Sequence, residues 1–295
     1  MFSGAIVALV TPFKDNGEVN YRKIEELVQF HLDKGTDALV PCGTTGESPT
    51  LSQTEKIKIF ETIVKKTEKK IPVIAGTGNY NTAESIELTR EAKKIGTNAA
   101  LVITPYYNKP TQEGLYRHFM AIADKTDFPL VVYNVPGRTG VNILPETIER
   151  LAGHSRIVAV KEASGNLGQI SELHKRVGQK LNILSGDDNL TLPILCVGGK
   201  GVISVSANIV PGKVKEMITA FEDCDRTRAL ELHQKLEDLN KVLFVETNPI
   251  PIKTAMNLMG FNVGGFRLPL CEMAKHNQEK LAAVLSSYQL IPGKV

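Results

Sequence analysis

The sequence has no tryptophan among its 295 residues and only four cysteines, at positions 42, 196, 224 and 271. Their wide separation, with no Cys-x-x-Cys, argues against a disulfide framework or a zinc cluster and for a reducing compartment, so a cytoplasmic location is expected. The six histidines show no metal-ligand spacing either. No apolar run reaches membrane-spanning length. The first one, Gly4 to Val10, has no basic leader and stops at Thr11-Pro12, so it reads as a strand and not as a signal peptide. Charge of one sign is scarce as well: 35 Lys and Arg against 32 Asp and Glu leave +3, and like charges cluster only as pairs such as Lys65-Lys66. That balance argues against nucleic acid as a partner. A dinucleotide fingerprint is missing too, since Thr11-Pro12-Phe13 follows the first strand and the later Gly76-Thr-Gly78 lacks its third glycine.

What is present is ordinary globular composition, 42% hydrophobic and 23% charged, enough for one barrel-sized domain or two smaller ones. Eight short apolar runs read as strands: Ala5 to Val10, Ala38 to Val40, Val73 to Ala75, Ala99 to Ile103, Leu130 to Tyr133, Ile157 to Val160, Leu181 to Leu184 and Val202 to Val205. Amphipathic stretches lie between them and carry helix-start signals. Ser52-x-x-Glu55 is a capping box, Asn81 with Glu84 resembles one, and Pro145 suits a first helical turn. Eight strand-then-helix units favour a (β/α)8 TIM barrel over a doubly wound open sheet. After residue 224 the strands stop, and helical patterns cover Thr227 to Leu243, the segment from Asn248-Pro249 to Met259, and Glu272 to Tyr288. The expected division is a barrel over 1–224 and a C-terminal helical region over 225–295, packed on the barrel or on a neighbouring subunit.

Barrel active sites lie at the C-terminal strand ends. Those positions hold Gly43-Thr44-Thr45-Gly46-Glu47-Ser48 after the second strand and Thr104-Pro105-Tyr106-Tyr107-Asn108 after the fourth. Tyr133 to Gly140, with Arg138, follows from the fifth, Lys161-Glu162 from the sixth, Gly186-Asp187-Asp188 from the seventh and Ser204 to Ser206 from the eighth. Lys161 closes an apolar run. A lysine there can simply reach solvent or pair with a carboxylate such as Glu162. Buried instead, it would be disfavoured as an ammonium, and its free amine would attack a carbonyl carbon. Tyr133 ends the neighbouring strand, about 4.8 Å away, and offers a proton donor beside that nucleophile. The hydroxyls of Thr44 and Thr45, with glycines around them, suit a bound carboxylate, and Arg138 offers a forked cation for a second one. The residues therefore point to a Schiff-base lyase or aldolase acting on small acids, working without metal or nucleotide cofactor. A barrel that merely binds small acids remains the competing class.

These motifs resemble the dihydrodipicolinate synthase family, within the pyruvate-dependent class I aldolases that also include N-acetylneuraminate lyase. The resemblance rests on Gly43-Thr-Thr-Gly-Glu-Ser48, Thr104-Pro-Tyr-Tyr-Asn108, Tyr133-Asn-Val-Pro-Gly-Arg-Thr-Gly140, Val160-Lys-Glu-Ala163, Leu184-Ser-Gly-Asp-Asp188 and Asn248-Pro-Ile-Pro251, in order along nearly the whole chain. It implies that Lys161 forms a Schiff base with pyruvate and that Tyr133, Thr44 and Tyr107 form a proton relay, Tyr107 coming from a partner subunit in a dimer of tight dimers. It further implies that Thr45 holds the pyruvate carboxylate, that Gly186 and Ile203 line its pocket, and that Arg138 binds the carboxylate of aspartate 4-semialdehyde. The product would be 4-hydroxy-tetrahydrodipicolinate, on the way to diaminopimelate and lysine. Arg138 favours the synthase over the neuraminate lyases, whose substrate is a polyol at that point. The family's allosteric lysine site maps to Ser48, Gln53, Lys56, Tyr80, Glu84 and Tyr106. Gln53, Lys56 and Tyr80 stand where strongly inhibited members carry histidines and an asparagine, so weak or absent feedback by lysine is expected.

Overall fold

Every strand of the chain pairs parallel to its neighbours. The structure, a computed structural model, describes residues 2–292. The strands are β1 Gly4–Ala8, β2 Ala38–Val40, β3 Ile74–Gly76, β4 Ala99–Ile103, β5 Leu130–Asn134, β6 Ile157–Glu162, β7 Asn182–Ser185 and β8 Gly201–Ser204. Their spatial order is β2-β1-β8-β7-β6-β5-β4-β3. A parallel bridge between Leu39 and Val73 joins the two ends, with Leu39 N donating to Pro72 O at 3.0 Å and Gly76 N to Pro41 O at 2.9 Å. The sheet is therefore a closed TIM barrel, and the open doubly wound layout is ruled out. Both strand faces are covered, which is why the strands read as unbroken apolar runs. The eight runs coincide with these strands to within one or two residues at each end. The largest differences lie in β1, which stops at Ala8, and in β6, which continues through Lys161 and Glu162.

The surrounding helices are α1 Tyr21–Asp33, α2 Gln53–Thr67, α3 Thr82–Ile95, α4 Gln112–Thr126, α5 Pro136–Thr139, α6 Pro145–Leu151, α7 Leu167–Val177, α8 Thr191–Cys196 and α9 Pro211–Glu222. Ser52 and Glu55 form the expected reciprocal capping box at α2, and Pro145 opens α6. Asn81 caps α3 by accepting from Ala83 N, but Glu84 binds the side-chain amides of Asn79 and Asn81 instead of closing a box.

Past Cys224 come α10 Arg226–Val242, α11 Ile250–Leu258 and α12 Lys275–Ser287. Ala229, Leu236, Ala255 and Leu281 belong to the same apolar cluster as Val7 of β1 and Met217 of α9, so this region packs on the barrel. Residue 1 and residues 293–295, the outer limits of the two expected regions, lie outside the described residues. Among the described residues no helix is long and apolar enough to cross a membrane.

Candidate active site

Strand alternation decides which way each side chain at the barrel mouth points. Ala159 of β6 and Val131 of β5 belong to the apolar cluster that fills the barrel lumen. Residues two further along share their face, so Lys161 and Tyr133 also turn inward. They are register partners on adjacent strands. Lys161 is only 5% exposed, and its Nζ lies 4.2 Å from the centroid of the Tyr133 ring. Among the described residues it has no hydrogen bond or ion pair.

Pairing between Lys161 and Glu162 does not occur, and the strand pleat is the reason. Glu162 shares its face with Val160 and turns outward toward the helices. There both of its carboxylate oxygens accept from Asn134 Nδ2 at 3.1 Å, and Oε1 also accepts from Ser164 N at 2.7 Å. Burial pushes the Glu162 carboxyl above the usual carboxylate range, against the pull of those hydrogen bonds. Asn142 and Gln169 continue this network.

Gly186 makes room for the lysine. A Cβ at that position would stand 2.7 Å from Ala163 Cβ and 3.0 Å from Lys161 Cε, so a larger residue would displace the Lys161 side chain. Ile203 is buried in the lumen cluster with Tyr133 and Leu184. Thr45 is buried, and its Oγ1 accepts from Asn248 Nδ2 at 3.0 Å. Arg138, exposed on α5, donates from Nη2 to the Asn248 carbonyl at 3.1 Å.

A cavity of about 590 Å³ opens here. Thr44, Tyr133 and Arg138 line it, and so do Ser48, Gln53, Lys56, Tyr80, Glu84 and Tyr106. The six residues of the expected allosteric group are thus gathered in one concavity that is continuous with the barrel mouth. The Tyr80 and Tyr106 rings meet edge to face at 5.1 Å. Burial lowers the Lys56 ammonium below its ordinary range, with Cys42 and Glu84 pulling it back up. Burial also raises the Tyr106 phenol.

Tyr107 is not brought to the site within one chain. Its φ is +67° and its side chain is 91% exposed, on the loop after β4. Its position after a strand end therefore does not join it to Tyr133 within the chain.

Three residues escape a reading confined to strand ends. Asn248, Lys253 and Arg267 all come from the C-terminal region and all contact the segment 45–55. Lys253 of α11 pairs with Glu47 at 2.7 Å, both wholly buried. A lone lysine in the apolar stretch Ile250 to Met256 is the signal that marks it.

Comparison with known proteins agrees with this fold. A model of the dihydrodipicolinate synthetase family matches residues 1–288. The 4-hydroxy-tetrahydrodipicolinate synthase of Thermodesulfovibrio yellowstonii is 56% identical over 291 residues, covering 99% of this chain and all of that protein. The crystal structure of dihydrodipicolinate synthase from Aquifex aeolicus superposes with a TM-score of 0.97 at 51% identity, covering 99% of this chain and 100% of that one. The chloride-inhibited dihydrodipicolinate synthase from Acinetobacter baumannii, solved in complex with pyruvate, has the same TM-score at 43% identity, with 99% and 100% covered. Full-length identity at this level, on a closed barrel with a buried lysine beside a tyrosine at its mouth, means that the chain belongs to the dihydrodipicolinate synthetase family.

Proposed function

We propose that this chain condenses pyruvate with L-aspartate 4-semialdehyde to 4-hydroxy-tetrahydrodipicolinate, a lyase-type step of diaminopimelate and lysine biosynthesis, with Lys161 as the nucleophile. The observation that carries the reading is the inward pair of Lys161 and Tyr133, buried, in register, and with the amine unpaired. The Lys161 nitrogen adds to the pyruvate ketone and the carbinolamine loses water to an iminium. Its positive nitrogen withdraws electrons, a proton leaves the methyl carbon, and an enamine results. The enamine carbon then attacks the aldehyde of the second substrate, whose oxygen takes up a proton. That substrate's own amine finally adds to the iminium carbon, closes the ring and releases the lysine.

Tyr133 and Thr44 serve as two members of the proton relay, Tyr133 nearest the amine. Thr45 holds the pyruvate carboxylate, and Gly186 and Ile203 shape the space around the lysine. Arg138 presents its guanidinium to the semialdehyde carboxylate, a planar fork for a planar anion. No metal or organic cofactor enters these steps. Tyr107 completes the relay from a partner subunit, within a homotetramer built as a dimer of tight dimers. The balanced charge and dispersed free cysteines support a cytoplasmic location for the assembly.

Incubation with pyruvate and borohydride tests the reading. One covalent adduct per chain is expected, located at Lys161 by peptide mapping and absent from Lys161→Ala. An unchanged intact mass would leave a barrel that only binds small acids. Condensation assayed beside sugar-acid cleavage separates the synthase from other pyruvate aldolases.

A further inference from the structure

We propose that Asn248 is a positioning residue that sets the polarity of the Thr45 hydroxyl, leaving its proton free for the substrate carboxylate. The inference rests on the reading of Thr45 as the group that holds pyruvate. A threonine hydroxyl has one proton to give and two lone pairs. Asn248 Nδ2 donates to Thr45 Oγ1 at 3.0 Å, which occupies a lone pair and leaves the proton unspent. Among the described residues nothing else bonds to Thr45 Oγ1, so that proton has no protein acceptor. The opposite amide orientation would set Oδ1 against the hydroxyl and draw the proton toward the protein. As placed, Oδ1 is buried with no partner among the described residues, and the amide nitrogen is the atom committed to Thr45.

The residue is well anchored for this work. Asn248 is 6% exposed and precedes α11, where Ile250 N donates to Thr247 O at 2.9 Å and Lys253 N to Pro249 O at 3.1 Å. Its own carbonyl receives Arg138 Nη2 at 3.1 Å. Asn248 thus stands between the two groups assigned to the two substrate carboxylates, its side chain on one and its backbone on the other. Only the side-chain contact is lost on substitution, so the effect falls on pyruvate.

Steady-state kinetics on Asn248→Ala, Asn248→Asp and Thr45→Val test this. Loss of one neutral hydrogen bond in Asn248→Ala raises the pyruvate KM by about 3- to 10-fold, with kcat and the semialdehyde KM little changed. Asn248→Asp, almost the same shape, is worse. Its carboxylate accepts the Thr45 proton and repels the incoming anion, so the pyruvate KM rises at least about 30-fold. A role in shape alone gives the reverse ranking, with Asp closer to wild type than Ala, and overturns the inference. So does an unchanged pyruvate KM in both variants while Thr45→Val raises it. An unchanged KM in Thr45→Val overturns the Thr45 reading and this inference together. Adduct formation at saturating pyruvate and the thermal midpoint verify folding. If Asn248→Ala does not fold, Asn248→Ser, which keeps a donor, replaces it in the same ranking against Asp.

Discussion

Lys253 and Glu47 form an ion pair from which solvent is wholly excluded, 2.7 Å apart and each 0% exposed. The ammonium also donates to the Gly265 carbonyl and lies 4.3 Å and 5.0 Å from the Phe13 and Phe266 ring centroids. Glu47 sits in the left-handed region at φ +54°, a conformation that costs a non-glycine residue free energy unless its surroundings enforce it. The second carboxylate oxygen accepts from Arg267 N at 3.3 Å, while the Arg267 guanidinium grips Glu55 and the carbonyls of Gly17 and Thr50. Helix α11 and the following segment therefore hold the loop that carries Thr44 and Thr45. Lys253→Met strands a buried carboxylate and is expected to cost about 3–5 kcal/mol. Glu47→Gln combined with Lys253→Met costs less than Lys253→Met alone, because no bare charge remains. Denaturant unfolding of the two variants beside wild type checks the order, and a double variant as unstable as the single one refutes it.

The strands were legible because each is covered on both faces, and the meeting of Tyr133 with Lys161 follows from consecutive strands being neighbours in a barrel. Period-two alternation also settles that Lys161 and Glu162 face opposite ways, once both are known to lie inside β6. The apolar run alone ended at Val160 and left that open. Asn248, Lys253 and Arg267 were a different matter. Their contacts with 45–55 span about 200 residues of chain, and depend on how α11 and the segments on either side of it pack against the loop after β2, which no local pattern encodes. Tyr107 could be named from its motif, but nothing within one chain shows what its hydroxyl meets.

Subunit mixing tests where Tyr107 works. Tyr107→Phe removes the hydroxyl proposed for the relay and is expected to slow turnover about 10²-fold while leaving the pyruvate adduct intact. Lys161→Ala is expected to be inactive. If Tyr107 acts across the interface, a mixed dimer has one site with both residues native and one with neither. Unfolding and refolding an equimolar mixture should then recover about a quarter of wild-type activity, since half of randomly paired dimers are mixed. No recovery beyond the two parents would place Tyr107 outside the partner's site.

Lys56 is expected to weaken any response to lysine. The half-buried ammonium lines the cavity with Glu84, whose carboxylate is already engaged by the Asn79 and Asn81 amides. A cationic amino acid entering here meets a like charge and only a partly committed counter-charge. Wild-type enzyme is expected to show weak or no inhibition by lysine, and Lys56→Gln to lower the inhibition constant at least about tenfold. Sub-millimolar inhibition of the wild type in a steady-state assay contradicts this account.

Acid should weaken the fold through two histidines that have no part in catalysis. His31 and His118 are buried, each with Nδ1 2.9 Å from a threonine hydroxyl, Thr36 and Thr82 respectively. Burial pushes their imidazoles down to about 3 and about 4. Both remain neutral when folded and gain a proton when unfolded, because a histidine in an open chain titrates near its ordinary 6.5. The unfolded state thus binds more protons below that point. Their contribution is complete above about pH 6.5 and falls as pH drops, by about 1.4 kcal/mol per pH unit for each. Glu162 and Asp188, raised by burial, work in the opposite direction and stabilise toward acid. The difference between variants isolates the histidines. Between pH 7 and pH 5 the unfolding free energy of His31→Gln should decline less steeply than that of wild type, whatever its value at pH 7. Parallel slopes would mean that His31 already carries its proton in the folded protein.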